Sequence, residues 1–341
     1  MGAKSSMVDR NGNLLGVHSQ LELFGLERCI VALETAPGLS ASQVRRDTHR
    51  FEAAARCMAE IDPNEIAFLH AGLCQTGLPH SKPGDDRDPW HRSNGRFHLV
   101  VEPGTIIDRL TGKPRHVGVP FGPKARLIFL HINTEGVKRR QILLGRSMSA
   151  WMRRLGLHVS GGDNGSIKPF KEQNLRIGRA RFSFQFEHET ADGRSGLGIS
   201  DVQVADKLHL WVTDDEAEWS EEIELTEKFH EHLREHAVPL SDHAISYLSG
   251  SCLQLDFYAW AAWRLPRLTK PLRLNWAQVA ATFSAAGEPK RLAERIRKEV
   301  LPEVYAVYRD MRVESVKGGL LLYPSKPPVP KPLVSISSAS K

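Results

Sequence analysis

Two stretches of the chain repeat one order of hydrophobic spacings: helical, helical, helical, then alternating. In the first, residues 123–136 read as a helix. Ser147 suits an N-cap, because Met148, Trp151, Met152 and Leu155 follow it at i, i+3, i+4 and i+7 of one face, and Gly156 closes that helix. A glycine-rich turn at 161–165 leads through Ser166 to a third helix whose shared face is Ile167, Phe170, Asn174 and Ile177. Lys168, Arg176 and Arg179 must then point elsewhere, with Lys171 at the border. From 181 to 187 the pattern changes to strict alternation, Phe182, Phe184 and Phe186 against Arg181, Ser183, Gln185 and Glu187, which predicts a half-buried strand. A turn at 191–196 and an apolar stretch reaching Val212 complete a hairpin.

The second stretch repeats the plan. Asp242 is placed to cap a short helix through Leu248, and Ser251 to cap another with Leu253, Phe257, Trp260 and Ala261 on its apolar face. Asn275 precedes Trp276, Val279, Ala280 and Phe283, again at i, i+3, i+4 and i+7; Gly287 interrupts, and Pro289 suits a helical first turn. That next helix is expected to end before Pro302. Leu292, Ile296 and Val300 form its core stripe, with Arg291, Arg295 and Lys298 offset by roughly 100° or more. A hairpin over 312–323 turns at Lys317, Gly318 and Gly319. The expectation is an α+β fold, mainly helical, with tandem winged-helix domains each ending in a β-hairpin wing. The expected divisions are an extension over 1–40, a helical region and linker over 41–115, winged-helix domains over 116–213 and 214–324, and a disordered Pro/Ser tail over 325–341. Within the helical region, Val44, Phe51, Ala55 and Met58 predict an amphipathic helix, with Arg45 and Arg46 near its start.

Charge distribution sharpens this picture more than the net +6 of the 341 residues. Residues 122–181 carry thirteen Lys/Arg against three acids, a net of +10, and 264–298 carry nine against two, a net of +7. Between them, 206–235 holds eleven acids and three basic residues, a net of −8. A helix fits the major groove, so a reading helix needs an apolar inner face and a basic or small polar outer one, and both third helices meet that need. The candidate DNA-binding residues are Lys168, Lys171, Arg176 and Arg179 in the first unit and Lys290, Arg291, Arg295, Arg297 and Lys298 in the second. Arg194 and Lys317 are the candidate wing tips.

Other chemistries fit less well. A nickase that opens a phosphodiester needs a tyrosine nucleophile and paired histidines around a hydrophobic residue. Tyr305 and Tyr308 offer the tyrosines, but His230 and His232 flank a glutamate in an acidic helix. His70, Cys74, His80 and His91 are spaced four, six and eleven apart, which is no tight zinc pattern. The 161–166 turn lacks the Gly-Lys-Ser/Thr ending of a phosphate loop, so any ATP step belongs to a partner. No enzyme activity, metal or cofactor is expected. Four scattered cysteines, the lack of an apolar run long enough to span a bilayer and the lack of a secretory leader lead to the expectation of a cytoplasmic protein with no membrane partner.

Five stretches, 68–81 (FLHAGLCQTGLPHS), 94–105 (NGRFHLVVEPGT), 117–158 (VGVPFGPKARLIFLHINTEGVKRRQILLGRSMSAWMRRLGLH), 239–266 (PLSDHAISYLSGSCLQLDFYAWAAWRLP) and 319–325 (GLLLYPS), resemble plasmid replication initiators of the RepA type. From first to last they span about three quarters of the chain. The resemblance implies tandem winged helices that bind repeats in double-stranded plasmid origin DNA, open the strands locally and deliver the host replicative helicase. It also implies the host initiator as a partner, a second unit that is the main reader, and a first unit that assists DNA contact and homodimer formation. The 284–289 stretch departs from the longer basic-aromatic lead-in of relatives. A transcriptional repressor of the same architecture is the alternative.

Overall fold

In the computed structural model the described residues are 16–108, 110–162, 164–189, 194–208, 222–283 and 289–330. They open with α1 (Val17–Glu34) and α2 (Ala41–Met58), then β1 (Ile66–His70), α3 (Ala71–Thr76), β2 (Trp90–Asn94), β3 (Phe97–Glu102), β4 (Gly104–Ile107) and β5 (Pro114–Gly118). The first unit continues with α4 (Gly122–Lys138), β6 (Gln141–Leu143), α5 (Met148–Arg154), α6 (Ile167–Arg179), β7 (Arg181–Glu189), β8 (Ser195–Gln203) and β9 (Ala205–Leu208). Next come β10 (Glu222–Leu225), α7 (Glu227–His236), β11 (Ala237–Ser241), α8 (Asp242–Leu248), α9 (Cys252–Arg264), β12 (Leu272–Asn275) and α10 (Trp276–Phe283). The chain finishes with α11 (Pro289–Arg295), a π-helical turn (Ile296–Val300), α12 (Leu301–Val307), β13 (Val313–Val316) and β14 (Gly319–Leu322). The fold is α+β, and each unit runs through helices into a hairpin.

The predicted faces are the buried ones. Ser147 accepts a hydrogen bond from the Ala150 N–H to cap α5, and Met148, Trp151 and Met152 are buried beneath it. Phe170, Asn174 and Ile177 bury the inner face of α6. Leu292, Ile296 and Val300 bury the α11 stripe. The cap of α8 is Ser241, whose side chain accepts from the Ala244 N–H, with Asp242 as the first helical residue.

The region before residue 115 corrects the expectation of helix: after α2 it is mostly strand. Residues 97–102 alternate, so Phe97, Leu99 and Val101 point inward, and β3 pairs with β7 at Leu99 opposite Phe184. The first wing is therefore not a free hairpin but half of an antiparallel sheet of order β2-β3-β7-β8, laid over Phe129 and Phe170. The second wing lies in a β12-β14-β13 sheet. The helix expected to stop before Pro302 instead passes through it. An α-helical turn would drive the proline ring into the carbonyl four residues back, and the wider π turn ending at Val300 lets α12 proceed.

The units are joined by several elements. β1 and β11 form an antiparallel ladder from Ile66–Ser241 to His70–Ala237. α2 rests on the second unit, where Arg50 Nη2 donates to Glu303 Oε1 at 2.5 Å, and Leu21, Cys29, Phe51, Ala54 and Ala306 form a small core. Residues 325–330, expected in a disordered tail, are packed: the Tyr308 hydroxyl donates to the Lys326 carbonyl at 2.7 Å, and Val329 is 0% exposed in the first unit's core. All four cysteines are free thiols. No helix among the described residues is long and apolar enough to cross a membrane.

Candidate nucleic-acid interface

On α6 the apolar stripe fixes where each cation goes. Lys168 is exposed and Lys171 half-buried near the start of the helix, where a reading helix usually meets base edges. Arg176, expected on the same outward surface, is 2% exposed. Its Nη2 donates to Glu172 Oε1 at 2.7 Å and to Asp86 Oδ1 at 3.0 Å, its Nη1 to the Val119 carbonyl at 3.1 Å, and it lies over the Phe121 ring. Arg176 thus belongs to the packing between α6 and the 79–86 loop and is corrected out of the contact surface. Asp86, ninety residues earlier in the chain, is the partner that helical spacing could not reveal. Arg179 is exposed at the far end of α6, with Nη2 donating to the Thr105 carbonyl at 3.0 Å. Arg194 is exposed just before β8, whereas 191–193 of the predicted wing turn lie outside the described residues.

A groove of about 1000 Å³ runs between α6 and the β4–β5 hairpin. Lys168, Lys171 and Arg179 lie along it with Lys82 and Arg115, two cations that periodicity did not single out. The basic run 113–116 was the signal available for Arg115. Lys82 sits in an irregular loop with no repeating pattern to flag it.

The second unit keeps all its candidates outside. Lys290, Arg291, Arg295, Arg297 and Lys298 are exposed, and Lys317 is exposed at the β13–β14 turn. Two of them form rungs one turn apart, Arg295 Nε to Glu299 Oε2 at 3.4 Å and Lys298 Nζ to Glu294 Oε1 at 2.8 Å. These pairs are on the solvent face, where water screens an ion pair and leaves it weak, so a phosphate can replace the carboxylate at small cost. The Arg297 guanidinium stands 5.3 Å from the Trp276 ring centroid. Arg273, overlooked in the spacing, donates from Nη2 to the Lys317 carbonyl at 2.6 Å and adds a cation beside the wing tip. Of the 284–289 stretch, 284–288 lie outside the described residues.

Where the units meet, α9 supplies Asp256 to the Arg126 guanidinium of α4, through Nε at 2.7 Å and Nη2 at 2.6 Å. His80 Nε2 donates to the second carboxylate oxygen at 2.9 Å. Burial alone would raise the Asp256 carboxyl, yet Arg126 and His80 together hold it down to about 2. Buried Arg92 of β2 donates to the Thr76 and Thr282 carbonyls, tying the first unit's sheet to α10. A histidine group lies nearby: His70 Nδ1 accepts the Gly72 N–H, so its Nε2 carries the proton toward His232 Nδ1 at 2.8 Å, and His236 packs edge-on against His232.

The residues of the other chemistries are placed in packing roles. Tyr305 accepts the Val313 N–H through its hydroxyl, and Tyr308 is buried. His230 Nδ1 donates to the Gly136 carbonyl. Of the four residues spaced through 70–91, His70 joins the histidine group, Cys74 the second unit's core and His80 the Asp256 contact, while His91 is exposed on β2.

No curated protein matches the chain. Two solved structures are similar to it at 10% sequence identity. The crystal structure of selenomethionine derivatives of domains 2 and 3 of RctB covers 79% of this chain and 100% of that one, with a TM-score of 0.45. The crystal structure of RctB domains 2–3, residues 155–483, covers 74% and 94%, with a TM-score of 0.40. The family described as plasmid encoded RepA protein matches residues 119–282, a stretch that begins beside α4 and ends in α10. Over those residues, which reach into both units, this chain is similar to the plasmid-encoded RepA proteins.

Proposed function

We propose that this protein is a non-enzymatic replication initiator that binds repeated sites in double-stranded plasmid origin DNA, starts local melting and helps to load the host's replicative helicase. α6 would meet one tract of duplex through Lys168 and Lys171, and α11 with the π-helical turn after it another through Lys290, Arg291, Arg295 and Lys298. Arg194 and Lys317 would touch the backbone beside each tract. The observation that carries this reading is the pair of outward cationic helices, α6 and α11, on units clamped together by Arg126–Asp256 and the β1–β11 ladder. Helices held at one spacing suit a target with its own fixed spacing, which is what a repeated site offers.

A mobility-shift titration against the plasmid's own origin repeats, at several salt concentrations, tests it. Saturable occupation of several repeats with a steep salt slope is the expected result. Occupation of a single promoter site would instead mark a repressor, and metal-dependent strand cleavage a nickase. Replacing Arg291 and Arg295 together by alanine should lower affinity by roughly 2–6 kcal/mol if both meet base edges. Unchanged binding by that folded variant would remove the second unit from the mechanism.

A further inference from the structure

The β4–β5 hairpin follows from a short sequence, PGTIIDRLTGKPRHVG, whose turn is built from its own side chains. Asp108 Oδ1 accepts the N–H groups of Leu110 and Thr111, each at 3.0 Å, and the Thr111 hydroxyl at 3.2 Å. The Asp108 N–H donates to the Lys113 carbonyl, and the Gly112 N–H returns to the Asp108 carbonyl with Gly112 at φ +66°. Arg115 Nε closes the set on Asp108 Oδ2 at 3.2 Å. These contacts hold the described residues of the turn, which display Leu110 at 97% exposure with Ile107 at 62%.

The hairpin's base is fixed to α6. A Cβ on Gly104 would lie 2.1 Å from the Arg179 carbonyl oxygen, so only glycine permits this approach, and Arg179 reaches back to the Thr105 carbonyl. Helix and hairpin therefore share one groove as opposite walls, with Lys168, Lys171 and Arg179 on one side and Ile107, Leu110 and Arg115 on the other. The described acids along the groove are matched within the protein: Asp86 by Lys82 and Arg176, Glu172 by Arg176, Asp108 by Arg115 and Asp206 by Arg140. A protein partner would need several hundred Å² of contact per side, and two apolar side chains on a basic rim supply little of it. A polyanion fits the charge. One apolar side chain on a rigid basic arm also fits a known way of distorting duplex DNA, in which a wedge enters a base step from the minor groove.

We infer that the β4–β5 hairpin is a second DNA-contacting arm of the first unit, laying Lys113 and Arg115 on phosphates beside the tract met by α6 and setting Leu110 as a wedge at a base step. The inference rests on the proposed function above, in which α6 meets duplex DNA. It gives that function a physical means of weakening base stacking, since the wedge is held to the reading helix at its base.

The test uses the full chain and a duplex of the plasmid's own origin repeats, labelled with 2-aminopurine at successive steps beside the repeats. Lys113→Ala with Arg115→Ala should weaken binding about tenfold or more at 0.1 M salt and lower the log–log salt slope by about 2. Leu110→Ser should keep the wild-type slope and lose the fluorescence rise that unstacking produces in the bound duplex. Because Arg115→Ala also frees Asp108, Lys113→Gln serves as the second variant, and it should lower the slope by about 1. If the wild-type chain does not bind the duplex, the function proposed above fails and the arm with it. If the wild type binds while the charge variants keep its affinity and slope, or Leu110→Ser keeps its fluorescence rise, the arm as stated is overturned and α6 contact stands.

Discussion

Arg176 and Lys168 sit two turns apart on one helix, and their surroundings assign them different work. Without its guanidinium, Arg176 would leave Glu172 and Asp86 facing each other across a partly buried site. Arg176→Met is expected to cost roughly 2–4 kcal/mol in urea unfolding, below the full buried-pair figure because both carboxylates keep some water. Lys168→Ala should stay within about 0.5 kcal/mol of wild type in the same assay and weaken DNA binding instead. Of the thirteen basic residues that mark the 122–181 block, Arg126 and Arg176 are buried, so the local charge surplus overstates the surface available to DNA. Spacing placed Phe170 and Ile177 correctly, but a residue at the margin of an apolar stripe goes in or out according to a partner far away in the chain. The histidines give a pH prediction at this scale. Burial, then His232 and His236, hold His70 well below its ordinary value, and burial and His236 lower His232, against the opposing pull of Glu235. Folded-state values below the unfolded ones mean that the unfolded chain takes up protons first, so stability is lost as pH falls below about 6.5. Urea midpoints measured from pH 7.5 to 5 should fall, and His70→Gln should flatten that fall.

Among the elements, helices were the legible part, because their apolar positions recur over ten or more residues. Strands of four to six residues carry less signal. β3 carries an alternation, Phe97, Leu99 and Val101, that the expectation of helix over 41–115 passed over, whereas β1 is a short apolar run buried on both faces, which periodicity cannot distinguish from a helix. Pro302 misled for a physical reason: it forbids an ordinary helical turn, and sequence reading has no means of seeing that a π turn removes the clash. Because β7 has β3 on one side and β8 on the other, the first wing's root depends on residues far before it. Leu99 is 0% exposed, and Leu99→Ala should cost about 2–5 kcal/mol in urea unfolding. A free hairpin wing would predict almost no effect on the protection of β7 amides from hydrogen exchange; the sheet predicts that they lose protection with it.

For the whole molecule, the joint between the units decides behaviour that neither unit has alone. Asp256 and Arg126 come from helices assigned to different units, and nothing in the sequence pairs them. Asp256→Asn removes the charge that offsets buried Arg126, an expected loss of about 3–5 kcal/mol. Thermal unfolding followed by calorimetry should then broaden or split, since what the joint makes one cooperative unit would become two. In the wild type the Asp256 carboxyl stays ionised down to about pH 2, so its contribution is present above the unfolded carboxyl's value and fades only as pH falls toward 2.

Val329 has a consequence for how the protein is made. It lies beyond the second hairpin, yet it fills a place in the first unit's core. Synthesis runs from the N-terminus, and early domains usually settle while later ones are still emerging from the ribosome. Here the unit translated first is completed last, and a nascent or prematurely released chain that stops at Tyr323 carries a vacant slot in a core whose other side chains were all made well before the second hairpin.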